Sequence, residues 1–166
     1  MWGTVVAVLG TLAGVALASV TQVFAEHRAR KEQRRQQVAE AVEQLLSAVV
    51  TYRELHWLLI ADVREGEQDD RESRAARFRA RSEITRARDR LSLITDESSL
   101  LVAAEAASWS AIELSYVDVG QATDGHFAPA VEAALEAGRE RTLETHNALR
   151  AAATAHIHRR PVNGQA

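Results

Sequence analysis

VAEAVEQLLSAVVTYRELHWLLIADV, residues 38–63, decides the architecture. Val38, Val42, Leu45, Val49, Tyr52, His56, Leu59 and Val63 recur at alternating steps of four and three, which is a heptad seam. Leu46, Val50, Trp57 and Ile60 widen that seam beyond what an isolated two-stranded coil buries, so the stretch reads as one helix of a bundle. Gly66 and the polar run Glu67 to Asp70 should end it.

Three further helices follow toward the C-terminus. The second, about Asp70 to Ile94, has Ala76, Ala80, Ile84, Ala87, Leu91 and Ile94 as a modest apolar stripe, with Phe78 as a large side chain. Thr95 to Ser98 supplies a stop and a fresh N-cap, with acids where the next helix dipole favours them. The third, about Glu97 to Val117, carries Leu100, Leu101, Ala104, Ala107, Trp109, Ile112, Leu114 and Tyr116 as apolar residues. Asp118 to Pro129 is a loop, with Gly120 and Asp124-Gly125 as turn signals. The fourth, about Ala128 to His158, is Ala-rich, with Val131, Leu135, Leu143, Leu149 and Ile157 as its main apolar residues. Arg159-Arg160-Pro161 should end it, leaving a disordered tail over 161–166.

Composition supports an all-α reading. The 166 residues allow one domain or a domain plus an appendage, and they include 31 Ala but only two Pro and eight aromatics. There is no Cys, which removes disulfides, thiolate nucleophiles and cysteine-ligated metals together. A net charge of −3 argues against wholesale nucleic-acid coating. Nineteen Arg against one Lys is the bias of high-GC coding and discounts basic runs as functional signals.

Working toward the N-terminus, Trp2 to Ala25 holds no charged side chain. Twenty-four residues at the helical rise span about 36 Å, enough for a hydrocarbon core of about 30 Å with some tilt. The expectation is a transmembrane anchor at 1–25. A cleaved signal peptide is the rival, with Ala16-Leu17-Ala18 as its cleavage-like site, but a positive n-region is missing. A buried core helix would be shorter and less uniformly apolar. Arg28, Arg30, Lys31, Arg34 and Arg35 follow the span and no basic side chain precedes it. Positive-inside bias then places the N-terminus outside the plasma membrane and residues 26–160 in the cytoplasm as an antiparallel helical bundle. The same cluster is the expected lipid and topology contact, resting on anionic headgroups or acting as a plain stop-transfer signal. Within the span, Gly3, Ala7, Gly10, Gly14 and Ala18 share a stripe of small residues through which two copies could associate. Counting the heptad register back from Val38 puts Arg28, Lys31 and Arg35 on the seam, so the segment after the span should splay, break or meet lipid.

Charge is uneven along the body. Arg71 to Arg90 carries eight Arg against three acids, while Leu91 to Gly138 carries eight acids and no Lys or Arg. An antiparallel pairing of the second helix with the third would neutralise both. The alternative is a polyanion face formed by Arg74, Arg77, Arg81 and Arg88, which would bind nucleic acid; against it, the aromatic interleaving of single-strand binders is reduced to Phe78. His56 beside Trp57 reads as a core histidine, His156-x-His158 as a solvated tail feature, and Glu132, Glu136, Glu140 and Glu144 as a solvated ladder balanced by Arg139 and Arg141. No Glu-x-x-His, phosphate loop, dinucleotide fingerprint or recognisable Ser-His-Asp context occurs. The sequence therefore assigns no catalytic, cofactor-binding or metal-ligating residue, and the expectation is a protein that is not an enzyme.

The opening MWGTVVAVLGTLAG at residues 1–14, the Arg-rich exit and the Ala/Arg helical body resemble a group of small Streptomyces membrane proteins. These are the KilB-like and related spread proteins of plasmids and integrative elements. The resemblance covers the first 40 residues best and implies a role in intramycelial plasmid spread or in a membrane complex serving it. The expected function is then a single-pass anchored interaction or scaffold protein. Its expected partners are anionic lipid, a second copy of itself and an unidentified protein, with nucleic acid as the alternative.

Overall fold

The structure, a computed structural model, describes the backbone of residues 2–158 and the side chains of Gln22 and residues 25–158. The described residues form four helices: α1 Trp2–Arg64, α2 Arg71–Ile94, α3 Ser98–Leu114 and α4 Pro129–His158. It falls into two units, Met1–Gln37 and Val38–Ala166. The fold is all-α, as the periodicities require.

In the first unit α1 runs without interruption, so of the three outcomes expected after the span a break does not occur. Arg28, Arg30, Lys31 and Arg34 are exposed and Arg35 is half-buried. Arg30 pairs with Glu26 at 3.6 Å and Arg35 with Glu32 at 3.9 Å, both one turn apart on the helix. Among the described residues no helix is long and apolar enough to cross a membrane. Apart from Gln22 and Ala25, the expected span at 1–25, with its stripe Gly3, Ala7, Gly10, Gly14 and Ala18, lies outside the described side chains, and the 161–166 tail lies outside the described residues.

The second unit is a four-helix core. Val38, Val42, Leu45, Val49 and Tyr52 of α1 meet Ile84 and Leu91 of α2, Leu100, Ala104, Ala107, Ala111 and Ile112 of α3, and Leu149 and Ala153 of α4. The expected seam is buried from Val38 to His56, after which Ile60 takes over from half-buried Leu59. A straight helix at 3.6 residues per turn drifts off a 3.5-residue seam by about 20° per heptad, and the change from Leu59 to Ile60 is that drift. Ile60 joins Leu114, Phe127 and Leu135 in a second, smaller cluster at the far end of the bundle.

Small residues carry much of the packing between α3 and α4. Ser110 and Thr145 hydroxyls lie 2.7 Å apart across that interface. Gly138 permits the close approach, because a Cβ there would stand 2.6 Å from Leu114 Cδ1. The large residues Trp109 of α3 and Leu143 of α4 stand outward, 43% and 44% exposed. Thr142 and Ser108 are buried instead, their hydroxyls donating to the carbonyls of Arg139 and Ala104.

Helix ends follow local chemistry. Gly66 takes φ +81°, and the Gly66 and Glu67 amides donate to the Val63 and Asp62 carbonyls at 3.2 and 2.9 Å. That is a Schellman stop, which an L side chain at Gly66 would strain. Asp70 caps α2 by accepting from the Ser73 amide at 2.6 Å. Glu97 occupies the α3 cap position without a side-chain cap bond. Asp124 and Gly125 both have positive φ, and Thr123 and His126 exchange two backbone hydrogen bonds around them. Such a tight reversal aims Phe127 inward. Two acid or histidine readings change here. Glu132 is no solvated rung: it accepts from Arg64 at 2.6 Å and from the Phe127 amide at 3.1 Å, fastening α1, the loop and α4. His156 is half-buried, with Nδ1 3.7 Å from Glu97 at the start of α3, rather than standing in solvent.

Candidate functional site: an arginine-lined cavity

The arginines of α2 do not form one continuous face. Arg88 turns to Asp89 at 3.1 Å and to Glu105 of α3 at 3.4 Å, the cross-helix pairing expected of a basic helix beside an acidic one. Arg74, Arg77 and Arg81 instead line a cavity of about 300 Å3. Its opposite wall comes from Tyr52, His56 and Leu59 of α1 and its rim from Phe78 of α2 and Tyr116 just beyond α3.

Each guanidinium is held in place. Arg77 donates to Asp69 Oδ2 at 2.5 Å, and Arg74 reaches the same oxygen at 3.3 Å and the Asp69 carbonyl at 3.1 Å. Asp69 sits in the α1–α2 loop, one residue before the cap, so the stop at Gly66 and the cap at Asp70 together set this clamp. The Arg77 hydrogen bond holds the Asp69 carboxyl below the usual carboxylate range, with Arg74 adding to it. Arg81 donates to the Tyr116 hydroxyl at 3.0 Å while its guanidinium carbon stands 5.8 Å from the ring centroid, a cation–π contact that orients the fork.

His56 is the buried member. It is 4% exposed, and burial lowers its pKa, with Arg77 pushing the same way and a hydrogen bond to the Leu114 backbone opposing. The ring is therefore neutral at pH 7, and Nε2 has no hydrogen-bond partner in the structure. An unpaired buried nitrogen costs desolvation without return unless a ligand atom or water meets it. No Asp or Glu is among the described residues lining the cavity. Chemically, it offers cationic donors and aromatic faces.

Sequence reasoning named Arg74, Arg77, Arg81 and Arg88 as one face; the structure brings the first three together and sends Arg88 elsewhere. It missed Asp69, Tyr52 and Tyr116. Phe78 looked like a solitary aromatic because its companions arrive from α1 and from beyond α3, far away in the chain. The periodic placement of His56 on the seam was the available signal, and it correctly indicated burial. Among the described residues no group of His, Asp and Glu could hold a metal ion.

Against known proteins, the family model for the KilB plasmid transfer protein matches residues 39–157. The match covers the bundle, not the N-terminal stretch on which the resemblance mainly rested. No curated protein and no solved structure matches the chain.

Proposed function

The chain belongs to the KilB plasmid transfer protein family, and from that membership we propose that it is a single-pass membrane-anchored interaction protein serving plasmid transfer. The observation that carries the anchored reading is the uncharged run Trp2 to Ala25 followed at once by His27, Arg28, Arg30, Lys31, Arg34 and Arg35. Length suits a bilayer and the charge asymmetry suits an N-out, C-in orientation. Residues 26–160 then form a cytoplasmic bundle that recruits a protein partner through its charged surface, without catalysis, cofactor or metal. Self-association through Gly10 and Gly14 belongs to the same reading.

Flotation with anionic liposomes tests it. The full chain should float and resist alkaline extraction, whereas the double variant Val8→Asp, Leu12→Arg should be extracted, because each central charge costs about 2.5–3.5 kcal/mol of insertion. A double variant that stays as firmly bound as the parent would refute the anchor. The second reading, a duplex-tracking arginine face, has less behind it, since Arg88 is spent on Glu105 and Arg74 and Arg77 on Asp69.

A further inference from the structure

A loop clamp needs one arginine on Asp69; the cavity holds three, and the third does not touch that acid. Arg81 points its fork along the rim, steadied by Tyr116. Phe78 is 62% exposed and Tyr116 61%, two large rings left in solvent beside concentrated positive charge. Their position on a basic cavity suits these rings as stacking faces. Beneath them the buried side chains of Tyr52 and His56 line the same space.

We propose that this cavity binds a nucleoside 5′-phosphate group, carried by a free mononucleotide or by the phosphorylated 5′ end of a single strand. Arg81 takes phosphate oxygens through charge-assisted hydrogen bonds, which a guanidinium fork forms with two parallel N–H groups, and Arg74 and Arg77, held on Asp69, add positive charge beside it. The base lies against Phe78 and Tyr116, a sequence-tolerant contact because every base has a π-face. A volume of about 300 Å3 suits one such group and is at the small end of ligand cavities. A duplex would need phosphate contacts spread along the helix, which the diversion of Arg88 removes. An inorganic anion or lipid phosphate would leave both rings unused. This inference stands apart from the membrane reading: failure here leaves flotation unaffected, and failed flotation leaves the cavity intact.

Calorimetric titration of the full chain in detergent micelles tests it, using thymidine 5′-monophosphate, thymidine, and decathymidylate with and without a 5′-phosphate. The monophosphate and the phosphorylated strand should bind, and each should lose at least about tenfold without its phosphate. Phe78→Ala, which removes an exposed ring, should weaken monophosphate binding at least about fivefold with the melting temperature unchanged. Arg81→Met should weaken it at least about tenfold. Tighter binding of the phosphorylated strand than of the mononucleotide assigns the strand end, and equal binding assigns the free nucleotide. No heat from either phosphorylated probe at millimolar concentration overturns the proposal, as does affinity unchanged by Phe78→Ala and Arg81→Met.

Discussion

Substituting His56 by Gln should remove a pH-dependent weakness of the bundle. His56 is 4% exposed, and burial and the neighbouring Arg77 lower its pKa below the ordinary value of 6.5. In the unfolded chain the ring protonates near pH 6.5, whereas in the folded protein it stays neutral to a lower pH. The unfolded state therefore binds more protons as pH falls below 6.5, so stability declines across the window between the unfolded and folded pKa values. One proton of difference sets a slope of at most about 1.4 kcal/mol per pH unit. His146, also lowered by burial and by Arg53 and Arg150, contributes in the same direction in both proteins and cancels in the comparison. Urea unfolding of residues 26–166 at pH 7.5, 6.5 and 5.5, for parent and His56→Gln, reads the difference directly. The parent should lose ground on the variant between pH 7.5 and 5.5, by at most about 1.4 kcal/mol, and the Gln amide can still donate to the Leu114 backbone. A stability difference that is flat with pH would refute the neutral, buried His56.

The remaining expectations concern packing and turns. Leu149→Ala, at a site with 0% exposure, should cost about 2–5 kcal/mol in urea unfolding, while Leu93→Ala, at 86% exposure, should stay within about 0.5 kcal/mol. Gly138→Val should destabilise by about 1–3 kcal/mol, because a Cβ at that position would stand 2.6 Å from the buried Leu114 Cδ1. Gly66→Ala should lower stability by about 1 kcal/mol through its positive φ, although nothing stands within 4 Å of the new methyl.

Period and punctuation explain why the helices could be read from the chain. Val38 to His56 sits inside as the heptad requires, and Gly66, Asp70 and Asp124-Gly125 act where turn chemistry places them. What periodicity could not supply was the choice between large and small residues at the α3–α4 contact. Trp109 and Leu143 have the apolar character of core residues, yet Gly138, Ser110 and Thr145 bring the two helices too close to leave room for them. The cavity was only half readable for a related reason. Arg74, Arg77 and Arg81 share a helix face in any helical drawing, but Tyr52, Tyr116 and Asp69 reach them through tertiary packing and a loop. Electrostatic pairing was anticipated between α2 and α3 and occurs at Arg88–Glu105, while the nearer Asp69 captures Arg74 and Arg77.

The absence of Cys allows the central claim, a bundle held on the cytoplasmic side by an N-terminal anchor, to be tested with a single label. Gln121 is exposed in the α3–α4 loop, so Gln121→Cys should leave the fold intact. Intact cells expressing the full chain are treated with a membrane-impermeant maleimide, and a second sample is treated after lysis. Labelling only after lysis, with the protein in the membrane fraction, is the predicted result. Labelling in intact cells, or a chain that remains in the soluble fraction, would contradict it.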